Sequence, residues 1–398
     1  MFAERTAWSM DPNALTVALE QEKQAGADIL DLTESNPTRC GFDVAGEKLL
    51  GPLSVPANLS YQPCSQGLRT AREALCRSFL QRGVKVAPEN IFLTASTSEA
   101  YSFVFRLLAN PGETVLFPQP SYPLFQFLAD ILDVRLEPYP LRYDGKHWNM
   151  DLDILSRKAS SAARAIVCVN PNNPTGNYVR KDQLHLLDDV CRCFDMALIS
   201  DEVFYDYCFE TAGRASLLGH PRTLTFTLGG LSKDLGLPQM KLSWIVLSGP
   251  EDQVREARRR LDVIADTYLS VNTPVQNALE AWLTLKPDIQ RQITERIVSN
   301  RAYLEASAQA AGLGIYPAEG GWYGVLQLPP GKSEEEWVLT LLERGHVLAH
   351  PGYFFDFEEE PVLVISFLPL PDHFRVGVDR ILALAATGGA RVNGDAVS

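Results

Sequence analysis

The residues best suited to chemistry in this sequence are five polar side chains that each follow an apolar segment. They are Ser96, Tyr122, Asn173, Asp201 and Lys233. A lysine that is partly withdrawn from water loses some of its preference for the ammonium form, and it can then act as a nucleophile. A carboxylate at the mouth of a buried strand is costly unless a cation or a hydrogen-bond donor satisfies it. Lys233 and Asp201 therefore predict a reactive amine with an acidic partner.

Each of these residues also has an ordinary interpretation. Taken alone, Lys233 reads as a solvated loop lysine and Tyr122 as a loop packing residue. Ser96 and Glu99 read as a plain S-x-x-E capping box at the start of a helix, and Tyr101 belongs to the apolar stripe of that helix. A helix that begins directly after a strand also directs free N–H groups at the ligand edge of a sheet, where an anion can bind. The choice depends on whether the five residues converge.

Apolar segments of strand length precede the five residues, and segments of helix length, such as 181–193, separate them. The predicted strands are 90–94, 114–117, 164–169, 197–200 and 223–228. We expect the last strand to stop at Gly229-Gly230, where glycine frees the backbone for a tight exit. Alternating strands and helices predict a mostly parallel sheet with right-handed crossovers. Ligands bind at the carboxyl ends of such strands, so all five side chains are expected at one edge, which favours a functional site.

Together these residue types suit a flat cofactor with an anionic tail and a reactive aldehyde. Tyr122 suits stacking on a ring, Asp201 would keep a ring nitrogen protonated, and Asn173 would donate to a ring oxygen. Lys233 would form an imine with the aldehyde. The residues suited to a phosphate are Ser96, Thr97, Ser232 and Lys241. Pyridoxal phosphate is a cofactor with all of these groups, and its protonated pyridine acts as an electron sink.

The composition is that of a globular protein, with 46% hydrophobic and 21% charged residues. A chain of 398 residues is longer than a single hydrophobic core usually supports, so two domains are expected. The net charge of −13 argues against nucleic acid and anionic membrane surfaces as partners. The N-terminus lacks the apolar core of a signal peptide, and no run approaches a membrane-spanning length.

The seven cysteines are scattered, mostly in apolar segments. Cys191 and Cys193 form a C-x-C pair with no second pair or histidine cluster, so no metal site is predicted. We expect reduced cysteines in the core of a cytoplasmic protein.

In three motifs the sequence resembles the class I aminotransferases, which are fold type I pyridoxal-phosphate enzymes of the aspartate and alanine aminotransferase kind. The motifs are Asn170-Pro-Asn-Asn-Pro-Thr-Gly176, Asp201-Glu-Val203 and Leu231-Ser-Lys233, in this order and spacing. Any one of them is a weak signal, but the three together are strong. The resemblance covers nearly the whole chain, from Leu30 to the final helix.

The resemblance implies a role for each candidate residue. Lys233 would be the Schiff-base lysine and later the proton carrier, Asp201 would lie at the pyridine nitrogen, and Asn173 at the phenolic oxygen. Tyr122 would cover the ring face. The phosphate ligands would be Ser96, Thr97, Ser232 and Lys241. Members of the family are usually homodimers, and Tyr61 matches the tyrosine that reaches the phosphate of the neighbouring subunit.

The fold expected from this resemblance is α/β. A large domain would contain a mostly parallel, seven-stranded type of sheet covered by helices, and a smaller α+β domain would come from both chain ends. The expected divisions are an N-terminal arm with part of the small domain (1–50), the large cofactor-binding domain (51–286), the small C-terminal domain (287–388) and a disordered tail (389–398).

Three positions depart from the family pattern. Lys241 replaces the arginine that usually lies eight residues after the lysine, so the charge is kept but the bidentate fork is lost. Phe204 replaces a tyrosine, with Tyr205 expected on the other face, so one donor to the phenolic oxygen is missing. Such a loss tends to raise the pKa of the imine. Val364 occupies the place of the substrate arginine, and no arginine occurs between residues 345 and 374.

The predicted function is transfer of an amino group between an amino acid and a 2-oxo acid by a cytoplasmic homodimer. Arg39, with Asn36 in the same loop, is the candidate that would hold the substrate carboxylate in place of the missing arginine. Val364 favours a first alternative, which is another reaction on the same cofactor such as β-elimination or decarboxylation. A second alternative is a non-catalytic, cofactor-binding regulator, but the chain has neither the room nor the positive charge for a DNA-binding module.

Overall fold

A computed structural model describes residues 1–209, 213–358 and 361–389 of the chain. The strands are β1 (Leu30–Asp31), β2 (Ile91–Thr94), β3 (Thr114–Gln119), β4 (Arg135–Tyr143), β5 (Trp148–Met150), β6 (Ala163–Val169), β7 (Ala197–Asp201), β8 (Thr225–Gly230), β9 (Ser243–Ser248), β10 (Ile315–Tyr316), β11 (Tyr323–Gln327), β12 (Val347–Leu348), β13 (His350–Pro351) and β14 (Val362–Ser366). The helices are α1 (Ala14–Gln24), α2 (Gly46–Leu50), α3 (Arg69–Gln81), α4 (Thr97–Leu108), α5 (Leu124–Ile131), α6 (Leu152–Lys158), α7 (Lys181–Phe194), α8 (Leu231–Asp234), α9 (Glu251–Tyr268), α10 (Thr273–Ala310), α11 (Glu334–Gly345) and α12 (Pro371–Gly389).

The larger sheet has the strand order β2-β9-β8-β7-β6-β3-β4-β5. The pairs β3–β4, β3–β6, β6–β7 and β7–β8 are parallel, whereas β9 is antiparallel to both β2 and β8. β2 therefore runs in the same direction as β8. The α/β class with a mostly parallel sheet is confirmed, and the antiparallel hairpin β4–β5 adds an edge strand to the expected seven.

Strand β8 includes both glycines and ends at Gly230, two residues later than predicted, so the glycine pair does not form a tight exit from the strand. Gly229 pairs with Trp244 and Gly230 with Ser243, both in β9. A Cβ atom at Gly229 would collide with the Trp244 indole, and one at Gly230 would collide with the Ser243 side chain. Glycine is required at both positions because the Trp244 and Ser243 side chains of β9 pack closely against the β8 backbone.

The smaller sheet has the order β10-β11-β14-β13 and is antiparallel. Beside it, β1 pairs in parallel with β12, so residues 30–31 join the C-terminal part of the chain. A smaller domain built from both chain ends is thereby confirmed. The predicted divisions at residues 50 and 286 remain predictions. The expected tail, 389–398, lies outside the described residues except for Gly389, the last residue of α12.

Helix α10 connects two hydrophobic cores. Its first turns bury Leu279 and Trp282 against α3 and β9, in the core of the large sheet. Farther along, Ile289 and Ile293 belong to the core of the smaller sheet. None of the helices in the described parts of the chain is both long enough and apolar enough to cross a membrane.

Candidate active site

The strand register gathers the predicted phosphate ligands at one edge of the large sheet. Thr94 of β2 and Gly230 of β8 both pair with Ser243 of β9. Because β9 is antiparallel to its two neighbours, its preceding residues leave the sheet where β2 and β8 end. The residues two positions beyond this row are Ser96, Ser232 and Lys241. An anionic group at this edge would therefore meet two hydroxyls, an ammonium and the start of α4.

The start of α4 forms only half of the predicted capping box. The Ser96 hydroxyl accepts a hydrogen bond from the backbone N–H of Glu99 at 3.1 Å, as expected. The Glu99 carboxylate instead accepts from the backbone N–H of Ala95 at 2.7 Å, one residue before the N-cap. Thr97 is the first residue of the helix. The N-terminus of α4 thus points its first-turn N–H groups past the sheet edge.

Asp201, the last residue of β7, is only 8% exposed. Its Oδ1 accepts from the backbone N–H of Val203 at 3.1 Å, and its Oδ2 accepts from the Tyr101 hydroxyl at 3.1 Å. Burial raises the pKa of Asp201 to about 6, and these two donors oppose the rise. Sequence reasoning assigned Tyr101 to packing alone. A phenol on the buried stripe of the helix that starts at the site edge was the available signal.

Lys233 lies in the short helix α8, directly after β8. Its Nζ is 5.0 Å from the centre of the Trp322 ring and 5.6 Å from the centre of the Phe204 ring. Burial lowers the pKa of Lys233 to about 8, against the opposing effect of Asp201. The Tyr207 hydroxyl donates to the Lys233 carbonyl at 2.7 Å. Trp322 and Tyr207 were not predicted, because nothing in their local sequence indicates which side chains surround the lysine.

Phe204, rather than Tyr205, is the ring beside the lysine. Tyr205 is turned away, with the guanidinium of Arg82 4.6 Å and that of Arg214 4.8 Å from its ring centre. The Tyr205 hydroxyl therefore does not replace the tyrosine that the family pattern places at position 204.

Asn173 is 8% exposed, and its Oδ1 has no hydrogen-bond partner within the described parts of the chain. The neighbouring Asn172 is fully engaged by contrast, because its Nδ2 donates to the Pro120 carbonyl at 2.9 Å and to the Thr175 hydroxyl at 2.7 Å. Tyr122 follows β3 and is 45% exposed, so its ring is accessible for stacking on a ligand. A buried amide oxygen without a partner marks a place where a hydrogen-bond donor of a ligand can bind.

The predicted substrate residues are less clearly organised. Asn36 caps a short 3₁₀ turn, and its Oδ1 accepts from the backbone N–H and hydroxyl of Thr38 at 3.1 and 2.8 Å. The Arg39 side chain is 75% exposed, and its guanidinium lies 3.8 Å from the Glu34 carboxylate. Val364 is completely buried in β14 and offers no donor. The roles of Asn36 and Arg39 stay predictions.

Tyr61 lies on the surface and is 73% exposed. Its predicted contact with the phosphate of a neighbouring subunit stays a prediction.

Comparison with known proteins decides the family. The family model described as "Aminotransferase class I and II" matches residues 28–378. The chain belongs to this family. A relative, "Glutamate-pyruvate aminotransferase AlaA" of Escherichia coli (strain K12), is 29% identical over 369 residues, which is 90% of this chain and 87% of the relative. "Alanine aminotransferase" of Mycobacterium tuberculosis (strain H37Rv) is 26% identical over 367 residues, 88% and 81% of the two chains.

Among solved structures, the alanine aminotransferase from Pyrococcus furiosus superposes with a TM-score of 0.88 at 24% identity, covering 97% of this chain and all of the other. A single mutant of the Thermus thermophilus aspartate aminotransferase has a TM-score of 0.85 at 21% identity, covering 96% of this chain and 99% of the other. These likenesses show the aminotransferase fold, with its mostly parallel large sheet and smaller sheet domain.

The protein is an aminotransferase, and its family depends on pyridoxal phosphate. The residues at the sheet edge fit this cofactor. The raised pKa of Asp201 indicates a buried carboxylate that a cationic ring N–H would stabilise. The hydroxyls and the helix start at the same edge suit a phosphate.

Proposed function

We propose that this aminotransferase exchanges an amino group between an amino acid and a 2-oxo acid, with Lys233 as the residue that bonds the cofactor and then carries the proton. The observation that carries the proposal is the Lys233 amine, which is desolvated between two aromatic rings at the edge where Asp201 is buried. When bound, pyridoxal phosphate supplies an aldehyde and a ring that withdraws electrons from the α-carbon of the substrate.

The lowered pKa of Lys233 supports its role as a proton carrier. With a pKa of about 8, roughly a tenth of the amine is neutral at pH 7, compared with less than about one part in a thousand for an ordinary lysine. A base is most effective when its pKa lies near the working pH. The Tyr207 hydroxyl holds the Lys233 carbonyl, so the side chain starts from a fixed backbone position.

The other residues bind and orient the cofactor. Asp201 would hold the ring nitrogen protonated, and Tyr101 and the Val203 N–H keep its carboxylate charged and directed. Asn173 would donate to the ring oxygen, and Tyr122 would cover the ring face. The phosphate would be bound by Ser96, Thr97, Ser232 and Lys241.

Glutamate with pyruvate is the first substrate pair to test, because the AlaA relatives carry that name over nine tenths of this chain. Val364 gives a specific reason to consider a second function. A site without the usual arginine also suits a lyase or decarboxylase reaction on the same cofactor, or a substrate with no carboxylate in the usual place.

We further propose a homodimer located in the cytoplasm. Leu59 and Tyr61 are 90% and 73% exposed in this single chain, which supports a surface that a second copy covers. All seven cysteines are free thiols, as is usual in a reducing compartment.

The test is a product balance on the purified holoenzyme. Substrate pairs are first chosen by a spectral screen of amino acids for loss of the bound cofactor's absorption band. Transfer predicts one new 2-oxo acid and one new amino acid for each turnover. Release of ammonia or carbon dioxide in equal amount would instead establish the lyase or decarboxylase reaction.

A further inference from the structure

Two residues of α10 lie where this helix passes from one core to the other. Lys286 and Gln290 are four positions apart, hence on one face of the helix, between Trp282 of the large-sheet core and Ile293 of the small-sheet core. Pro287 follows Lys286 directly inside the helix. A proline at such a position removes a backbone hydrogen bond, which makes this turn the natural place for the helix to bend.

Both side chains reach the segment that carries Lys233. The Lys286 Nζ lies 2.7 Å from Oδ1 of Asp234, the residue directly after the lysine. The Gln290 Nε2 donates to the same Oδ1 at 3.0 Å and to the Asp234 backbone carbonyl at 3.1 Å. Helix α8 has only four residues, so it has little rigidity of its own. These contacts from α10 hold the last residue of α8, and the Tyr207 hydroxyl holds the Lys233 carbonyl.

Lys286 also contacts the turn that follows Asp201. Its Nζ lies 2.8 Å from Oδ2 of Asp206. Asp206 in turn faces Arg82, whose guanidinium also pairs with Glu202 at 3.4 Å. Burial alone would raise the pKa of Asp206, but Lys286 and Arg82 outweigh it and lower the pKa to about 2. The pKa of Lys286 is raised, because its two carboxylate partners outweigh burial. The contact between Lys286 and Asp206 is therefore charged at neutral pH. For Asp234, burial outweighs the opposing effect of Lys286 and raises the pKa of the carboxyl.

We propose that Lys286 is a positioning residue that joins the interdomain helix α10 to the Lys233 segment, so that the orientation of the smaller domain sets the aim of the Lys233 amine. The proposal rests on the proposed role of Lys233 as proton carrier. Lys286 acts through Asp234 and touches neither cofactor nor substrate. A proton carrier must meet its target atom closely, and a misplacement of about 1 Å can cost a hundredfold in rate.

The test compares Lys286→Met with Lys286→Arg in the holoenzyme, using an amino acid and its α-deuterated form. We expect Lys286→Met to lower kcat about tenfold to a hundredfold, with KM changed less than about threefold. The deuterium isotope effect on kcat should rise, because proton transfer becomes more fully rate-limiting. Lys286→Arg should restore kcat to within about threefold of wild type, because it keeps the charge. A variant that is merely less stable would not change the isotope effect, since its folded fraction performs the same chemistry.

Lys286→Met removes the cation that pairs with the buried carboxylates of Asp206 and Asp234, so the variant can fail to fold. The double variant Lys286→Met/Asp234→Asn removes one of these charges and should fold, with the same slow proton transfer. Arg291→Met is the matched control, because Arg291 lies on the same helix and pairs with Glu295 at the surface. It should match wild type in kcat and isotope effect.

Wild-type kcat and isotope effect in the folded double variant would overturn the positioning role. Lys233→Ala separates that failure from failure of the proposed function. An inactive Lys233→Ala enzyme leaves the proposed function intact, whereas an active one would overturn both.

Discussion

Replacing Asp201 with asparagine should affect the stability of the cofactor-free protein and the activity of the holoenzyme in opposite directions. The carboxylate is buried, and burial raises its pKa from 3.8 to about 6. The native state therefore holds this proton more tightly than the unfolded chain, so ionisation of Asp201 destabilises the fold as pH rises. The difference between 3.8 and about 6 corresponds to about 3 kcal/mol at neutral pH.

Asp201→Asn removes that cost while keeping the shape of the side chain. Cofactor-free Asp201→Asn should therefore be more stable than the cofactor-free wild type by up to about 3 kcal/mol at pH 7. The advantage should grow between about pH 4 and 6, the interval between the unfolded and folded pKa values, and should disappear near pH 3.5. The same variant should lose at least about tenfold to a hundredfold in kcat/KM, because a charge-assisted hydrogen bond to the cofactor contributes about 1.5–3 kcal/mol.

The assay is urea unfolding of both cofactor-free proteins at several pH values between 3.5 and 8, with the unfolding slope required to stay equal. Asp189→Asn is the control, because Asp189 is an exposed partner of Arg192 and should show little change. Two results would refute the conclusion that ionised Asp201 destabilises the fold. One is an Asp201→Asn protein that is less stable than wild type at pH 7, and the other is a stability gain that does not vary with pH.

Lys233→Ala should abolish transfer, since one amine must both bond the cofactor and move the proton; borohydride should fix the cofactor to a peptide containing Lys233, and label on Lys241 would contradict this assignment. The holoenzyme should sediment as a dimer, and Tyr61→Phe should weaken cofactor binding. A fully active monomer at assay concentration would rule the dimer out. Arg39→Ala should lower kcat/KM for a carboxylate substrate at least about a hundredfold, near 3 kcal/mol, with cofactor binding unchanged. Wild-type kinetics for that variant would place the carboxylate contact elsewhere.

The parts of the site that sequence predicts are those whose position follows from one strand. Asp201 follows a short apolar segment that predicts a buried strand, and Lys233 follows another such segment. In a parallel sheet the ends of these strands meet, so convergence follows without knowledge of the packing. The same reasoning gave the α/β class.

Contacts between distant segments could not be predicted in this way. Tyr101 and Trp322 approach Asp201 and Lys233 only because α4 and β11 pack where they do, and neither residue differs locally from an ordinary core aromatic. Nothing in the sequence of β9 shows that it runs antiparallel to its neighbours. The prediction for Gly229 was wrong for the same reason. A glycine is needed there because Trp244 of the neighbouring strand leaves no room for a Cβ atom, and not because the chain turns at that point.

The pairing of β1 with β12 has a consequence for the order of events during synthesis. Leu30 leaves the ribosome about 300 residues before its partner Val347. At 5–20 residues per second, this strand waits roughly 15–60 s for the backbone that completes it. All strands of the large sheet, by contrast, have been made once residue 248 has emerged. The nascent large sheet can therefore form the edge that carries Lys233 while residues 30–31 are still unpaired. The first strand of the chain is thus among the last to pair.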